Sequence, residues 1–333
     1  MTLLAIVFSL CPVSLLLLGL TLIGTCRLVR PGQVLTALAA GGGAALAAWG
    51  IQRELLVLGL SGDLLVRGLA PLVEELLKGI WPLFLLRRGR LGFAGDAALH
   101  GFAVGAGFSL VENLYYLALL PQGNPAVWLV RGLGASLLHG GATAVMAILA
   151  RARLERHPHR LRAAAFGGLL AAMTLHAAFN QFPLAPLSMA ALNVLAWPLL
   201  LVLVYAHSDR STRRWLDLGL ATDAEMHSML TGKDFLVTPL GRRLVALREQ
   251  YPGETVADML CYLRLLTELS IRAKGRLLLQ EAGLPPPRDP DLKEKLSELA
   301  YLRHSIGPSG CWLLHSLIGI GPRQLWQLNL PEG

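Results

Sequence analysis

The sequence predicts an all-α protein. Residues 1–207 form a polytopic membrane bundle of about seven transmembrane helices, and residues 208–333 form a soluble α-helical cytoplasmic domain. Three observations predict this. Hydrophobic residues make up 54% of the chain and charged residues only 16%, against ~25% in a typical soluble domain. Apolar runs of the ~20 residues that a spanning helix needs recur along the first two thirds. Near Tyr205 the composition changes sharply, and from Ser208 charges of both signs are mixed with helix punctuation.

The apolar runs are 3–24, 33–51, 68–86, 97–120, 127–150, 163–182 and 187–206. The first is too long for a signal peptide and lacks a basic start. Cys26, after Ile23-Gly24-Thr25, is only a faint match to a lipoprotein cleavage site. Between the second and third runs, Glu54–Arg67 is apolar but interrupted by Gly59, Gly62 and Asp63. It reads as a short interfacial or re-entrant segment on the outer side.

The net charge of +8 is located rather than diffuse. Residues 1–207 carry 14 Lys and Arg against 7 Asp and Glu, whereas residues 208–333 carry 16 against 15. In the apolar part the basic residues cluster between runs: Arg27 and Arg30; Arg87, Arg88 and Arg90; Arg151, Arg153, Arg156, Arg160 and Arg162. The alternate connections, around 52–66, 121–126 and 183–186, hold only Arg53. The positive-inside bias then places the N-terminus outside and the C-terminal domain in the cytoplasm. No basic stripe is interleaved with aromatics, so the charge orients a chain in a lipid bilayer and excludes nucleic acid as the expected partner. Four scattered cysteines without a C-x-x-C pair exclude a disulfide scaffold and a cysteine zinc site.

In the tail, Thr222-x-x-Glu225 resembles a capping box. Thr238-Pro239 and Asp289-Pro290 each read as an N-cap with proline in the first helical position. Residues 254–282 form one long amphipathic helix that Pro285-Pro286-Pro287 ends. The apolar run Cys311 to Ile320 is too short to span. No catalytic signature occurs in this part.

Ionisable groups at bilayer depth cost roughly 2.5–3.5 kcal/mol each by insertion scales, and are functional by default. The spans contain Glu74, Glu75 and Lys78, then Glu112, His139, and His176 with Asn180. One buried His or Asn reads as polar glue between helices; this set is too large for glue alone. At ~1.5 Å per helical residue, Glu75 and His139 lie roughly 18 Å from the cytoplasmic edge, His176 about 20 Å and Glu112 about 24 Å. Four helices of alternating direction therefore deliver these groups to one layer, somewhat outside the midplane. Lys78 is three residues from Glu75 and four from Glu74, so it can neutralise a carboxylate on a shared face. His176 and Asn180 stand one above the other. Gly101, Gly105, Gly107, Gly134, Gly140 and Gly141 allow close helix approach. Arg131 and Asn113 read as structural, His100 as a solvated or capping histidine, and Trp128, Trp197 and Trp215 as interface anchors or packing.

Two chemistries suit such a set. A carboxylate, Glu74 or Glu75, can act as general base toward water, with His176 and Asn180 donating to the oxyanion. Alternatively Glu112, His139 and His176 give two imidazoles and a carboxylate, a ligand set for Zn²⁺ with an open position. No H-E-x-x-H motif is present, so a metal site must be assembled across helices.

The order of these motifs is also informative. Glu74-Glu75-x-x-Lys78, Gly105-x-Gly107-Phe108-x-x-x-Glu112-Asn113, Arg131 with His139-x-x-x-Thr143, and His176-x-x-x-Asn180 together resemble the PrsW family of intramembrane proteases. That family is related to the CAAX prenyl protease and bacteriocin-processing superfamily. The resemblance covers residues 67–182. It implies a membrane-embedded metalloprotease that makes a first cut in a membrane-anchored protein substrate, an anti-sigma factor. It also implies Glu74, Glu75 and His176 as essential residues, with Glu112, His139 and Asn180 completing the site. In the CAAX branch the position of Glu112 is typically histidine. The tail lies outside the resemblance. A proton-coupled transporter or channel is the competing class, disfavoured by the lack of an internal repeat. An inactive scaffold of the same fold is the third, disfavoured by the intact motifs. The Ala-, Leu-, Arg- and Gly-rich composition suits a GC-rich bacterial genome and hence a bacterial inner membrane.

Overall fold

A computed structural model describes residues 3–23, 29, 31–120, 124–157, 160–181, 183–285, 287 and 289–318. Cys26, Arg27, Arg30, His159 and Pro286 lie outside the described residues, as does the side chain of His315. Among the described residues there is no strand. By Cα proximity the chain divides into two compact units, Met1–Asp209 and Arg210–Gly333.

The first unit contains α1 (Leu3–Ile23), α2 (Pro31–Val57), the short α3 (Gly62–Leu64), α4 (Ala70–Arg87) and α5 (Ala94–Leu119). It continues with α6 (Pro125–Leu129), α7 (Ser136–Arg156), α8 (Leu161–Asn180) and the first part of α9 (Pro186–Thr231). π-Helical turns at Leu65–Leu69 and Val130–Ala135 join α3 to α4 and α6 to α7. The segment after Glu54 is thus less separate than the sequence suggests: α2 runs on to Val57, and Gly62 already starts the helical run into α4.

Among the described residues six helices are long and apolar enough to cross a membrane, one fewer than the seven runs. The difference is α4, whose hydropathy is lowered by Glu74, Glu75, Lys78 and Arg87. The first three are buried, while Leu72, Leu76, Ile80 and Phe84 form an exposed stripe at a four-residue spacing. This inverts the pattern of a helix in water and matches one bathed in lipid.

α5 is the central strut, packed between α2 and α7. Its small residues explain how. A Cβ on Gly101 would strike the Thr143 carbonyl, one on Gly105 the His139 carbonyl, and one on Gly107 the Leu38 carbonyl. Such contacts replace the hydrophobic effect as the basis of association in lipid, where apolar side chains gain little by leaving the solvent. Phe102, Val104, Leu138 and Leu201 fill the core around it. Trp128 and Trp197 are buried packing residues, with Trp197 Nε1 donating to Asn193 Oδ1.

The second unit contains the rest of α9, α10 (Pro239–Ala246), α11 (Gly253–Glu281) and α12 (Leu292–Ile318), around Met259, Tyr262, Leu263 and Leu266. Thr238 caps α10, its hydroxyl accepting from the Gly241 amide at 3.0 Å. Two expected caps differ. Thr222 lies inside α9 and donates to the Leu218 carbonyl. The Asp289 carboxylate is taken by Arg272, which binds both its oxygens.

Candidate active site

The polar groups of α4 are held in place by the way α4 packs against α2, α5, α7 and α8. Adjacent on the helix, Glu74 and Glu75 diverge, as the ~100° step between neighbours requires. Glu75 is fully buried; its Oε1 accepts from Lys78 Nζ at 2.5 Å and from His176 Nδ1 at 2.9 Å. Glu74 turns toward α2, where its Oε1 accepts from Gln52 Nε2 at 2.9 Å. Glu74 Oε2 is buried and has no hydrogen-bond partner among the described residues.

His139 enters from α7. The Gly105 approach fixes its backbone, and Thr143 Oγ1 donates to its carbonyl at 2.9 Å. Lys78 Nζ lies 2.9 Å from Nδ1, and Glu112 Oε2 lies 3.2 Å from Nε2. A lysine ammonium only donates and a carboxylate only accepts, so this ring carries its proton on Nε2 and a lone pair on Nδ1. The same logic gives His176 a proton on Nδ1, toward Glu75, and leaves a lone pair on Nε2 in the neutral ring. The two rings meet edge to face, with centroids 4.8 Å apart.

The unpartnered Glu74 Oε2 lies 3.8 Å from His176 Nε2 and 4.0 Å from His139 Nδ1, whose lone pair accepts from Lys78, so a cation there would have to displace the ammonium. Three acceptor atoms thus converge within 4.8 Å of one another. Zinc bonds of ~2.0–2.1 Å in a tetrahedron imply ligand separations of about 3.3 Å, so modest side-chain shifts make the set fit a divalent cation. Behind each imidazole stands a carboxylate, Glu75 for His176 and Glu112 for His139, the usual outer partner of a ligating histidine. Among the described residues the group whose ligand atoms converge closely enough to hold a cation is Glu74, His139 and His176; of the expected set Glu112, His139 and His176, it shares the two histidines. Glu112 is drawn aside by Arg131 at 3.2 Å. Arg131 in turn stacks on the Tyr116 ring at 3.7 Å and donates through Nε to Asn113 Oδ1.

Of the expected residues, Glu74, Glu75, Glu112, His139 and His176 come together, and Lys78 lies among them. Asn180 does not join them: its Nδ2 donates to the Val66 carbonyl in the Leu65–Leu69 π turn. His100 is buried, with Nδ1 against the Asp96 carbonyl, rather than solvated. Gln52 was missed. It sits beside Arg53 and Glu54 where α2 reads as leaving the bilayer, and a neutral amide carries no burial penalty large enough to mark it.

A cavity of about 290 Å³ adjoins the site between α2, α4 and α5, with Glu74, Glu112 and Gln52 in its wall. Hydrophobic walls and a few converging polar groups are the ordinary features of a substrate site.

The model of one protein family, described as PrsW family intramembrane metalloprotease, matches residues 30–206. That range contains every residue of the cluster. No curated protein and no solved structure matches the chain.

Proposed function

This chain belongs to the PrsW family of intramembrane metalloproteases, and from that premise we propose that residues 1–207 hydrolyse a peptide bond in or beside a transmembrane segment of a membrane-anchored protein. The observation that carries the reading is the convergence of Glu74 Oε2, His139 Nδ1 and His176 Nε2 with no donor satisfying the carboxylate oxygen. These three atoms would hold Zn²⁺, which would supply Lewis acidity toward water and the scissile carbonyl. Glu75 and Glu112 keep the two imidazole lone pairs turned inward. Glu112, the more exposed carboxylate of the cavity wall, takes a proton from the attacking water as its oxygen bonds to the carbonyl carbon. It returns that proton to the amide nitrogen as the C–N bond breaks.

A second reading has its own support. Lys78 Nζ sits on His139 Nδ1, so the ammonium already supplies positive charge where a metal would bind. In that scheme no metal takes part, and Glu74 Oε2 itself accepts the proton from water.

In both, the polar layer lies outside the midplane, which favours cleavage near the outer end of the substrate segment. We assign residues 208–333 to a soluble cytoplasmic domain and the N-terminus to the outer side, in a bacterial inner membrane, from the charge pattern.

The test is cleavage of a quenched transmembrane peptide by the full chain in proteoliposomes, alongside elemental analysis. The zinc reading expects one Zn²⁺ per chain, lost in Glu74→Gln with His176→Ala, and cleavage stopped by a chelator. Cleavage by metal-free protein would overturn it in favour of Glu74 alone. A Glu74→Gln variant that cleaves like wild type would overturn both.

A further inference from the structure

We propose that the cavity between α2, α4 and α5 is a specificity subsite that receives one bulky apolar side chain of the substrate, at a residue flanking the peptide bond that is cut. This rests on the protease reading and adds a substrate preference to it.

The cavity holds about 290 Å³, at the lower limit of the ~300–1,000 Å³ that ligand sites usually span. That is room for a large side chain and its peptide group, not for a folded segment. Ala48, Trp49, Phe108, Val111, Tyr115 and Tyr116 form its apolar walls. Trp49 and Tyr115 stand with centroids 6.0 Å apart, and Tyr115 meets Tyr116 edge to face at 5.6 Å. The Arg131 guanidinium on the Tyr116 ring holds the end of this aromatic row. Phe108 ties the wall to the reacting layer, its ring 5.0 Å from that of His139.

The charged groups are confined to Glu74 and Glu112, with the Gln52 amide beside Glu74. This asymmetry selects the occupant. A lipid tail would press hydrocarbon against the carboxylates of Glu74 and Glu112. A peptide satisfies both parts: its side chain packs among the rings, and its backbone N–H, which must find an acceptor inside a membrane, meets a carboxylate. The same placement brings the adjoining carbonyl toward the two imidazoles.

The test uses the full chain in proteoliposomes and transmembrane peptides that differ only in having Ala, Leu or Phe at each residue flanking the cut, mapped by mass spectrometry. At one flank, kcat/KM for Leu or Phe is expected to exceed that for Ala by about 10–200-fold. Val111→Phe, which fills the cavity, should bring that ratio toward 1. Trp49→Ala, which enlarges it at an exposed ring, should move the optimum to the larger side chain; it carries the test if Val111→Phe does not fold. Ratios near 1 at both flanks in wild type, or ratios unchanged in both variants, would overturn the subsite while leaving the protease reading intact. Labelling of the cavity by a diazirine-tailed phospholipid, with unchanged ratios, would assign it to lipid instead. Failure of wild type to cleave any peptide would count against the protease reading itself.

Discussion

The Glu75–Lys78 pair is the most consequential interaction to perturb, because both side chains are almost wholly buried, at 1% and 0% exposure. Breaking a buried ion pair by removing one partner typically costs 3–5 kcal/mol, since the other charge is left without compensation. Glu75→Gln should fall near the lower end, about 3 kcal/mol. The amide oxygen can still accept from Lys78, whose Nζ also keeps His139 Nδ1 at 2.9 Å and the Phe108 ring at 4.6 Å. Lys78→Met should cost more, about 4–5 kcal/mol, because Glu75 then retains only His176. The double variant removes both charges and lays a thioether on Phe108, so its net cost should be within about 2 kcal/mol of wild type.

Thermal unfolding in detergent, at roughly 2–4 °C per kcal/mol, separates these outcomes: large losses for each single variant and near recovery for the double. Cleavage is expected to stay low in the double variant by about 10–100-fold. A neutral amide orients His176 without the charge that strengthens it as a ligand or donor. A double variant destabilised by the sum of the two singles would refute the reasoning, because it would mean that the charges do not compensate one another.

Four further outcomes are expected. Gly105→Ala should destabilise by about 1–3 kcal/mol and depress cleavage by pushing on the His139 carbonyl; Gly19→Ala, where a Cβ meets nothing within 4 Å, should leave unfolding nearly unchanged. Gln52→Leu removes a hydrogen bond to a carboxylate, about 1.5–3 kcal/mol, and should lower kcat/KM by roughly 10–150-fold. Asn180→Ala should cost less than about tenfold, and a loss as complete as that of Glu74→Gln would show that Asn180 reaches the substrate. In the second unit, burial alone would push the Glu268 carboxyl up, but Lys295 and Arg272 outweigh it and hold the group below its ordinary 4.5. Its contribution to stability is therefore full above that value and lost as the pH falls through the lower, folded one. Glu268→Gln should flatten the acid limb of an unfolding titration, and an unchanged limb would remove this carboxylate from the account.

What the sequence made legible here is depth, and what it hid is azimuth. Helix rise alone put Glu75, Glu112, His139 and His176 in one layer, and helix period alone put Lys78 within reach of Glu74 and Glu75, of which it bonds Glu75. Which face of α5 meets which neighbour is set by glycine contacts spread over α2 and α7, such as Gly107 on Leu38 and Gly105 on His139. Local spacing does not encode these. That Glu74, and not Glu112, stands with His139 and His176 in the buried group goes with the ion pair of Glu112 to Arg131, which lies in the Val130–Ala135 π turn. A π turn places an extra residue in one turn and shifts the phase of everything beyond it, so regular 3.6-residue counting could not anticipate where Arg131 points. Asn180 shows the same limit: four residues after His176 it lies on the right face, but the Leu65–Leu69 π turn brings the Val66 carbonyl within its reach.

The two π turns share a consequence for the site. Each immediately precedes a helix that carries residues of the buried cluster, α4 with Glu74 and Glu75, and α7 with His139. Each is braced by a side chain from another helix: Asn180 of α8 holds the first through Val66, and Asn113 of α5 holds the second through Arg131. The azimuth of both carboxylates and of one imidazole therefore depends on two asparagines that touch none of them. A substitution at Asn113, which also donates to the Ser9 carbonyl and to Ser136 Oγ, is expected to reduce cleavage more than one at Asn180, whose bond lies on the exposed side. That ordering follows from burial, since a lost hydrogen bond costs most where water cannot replace it.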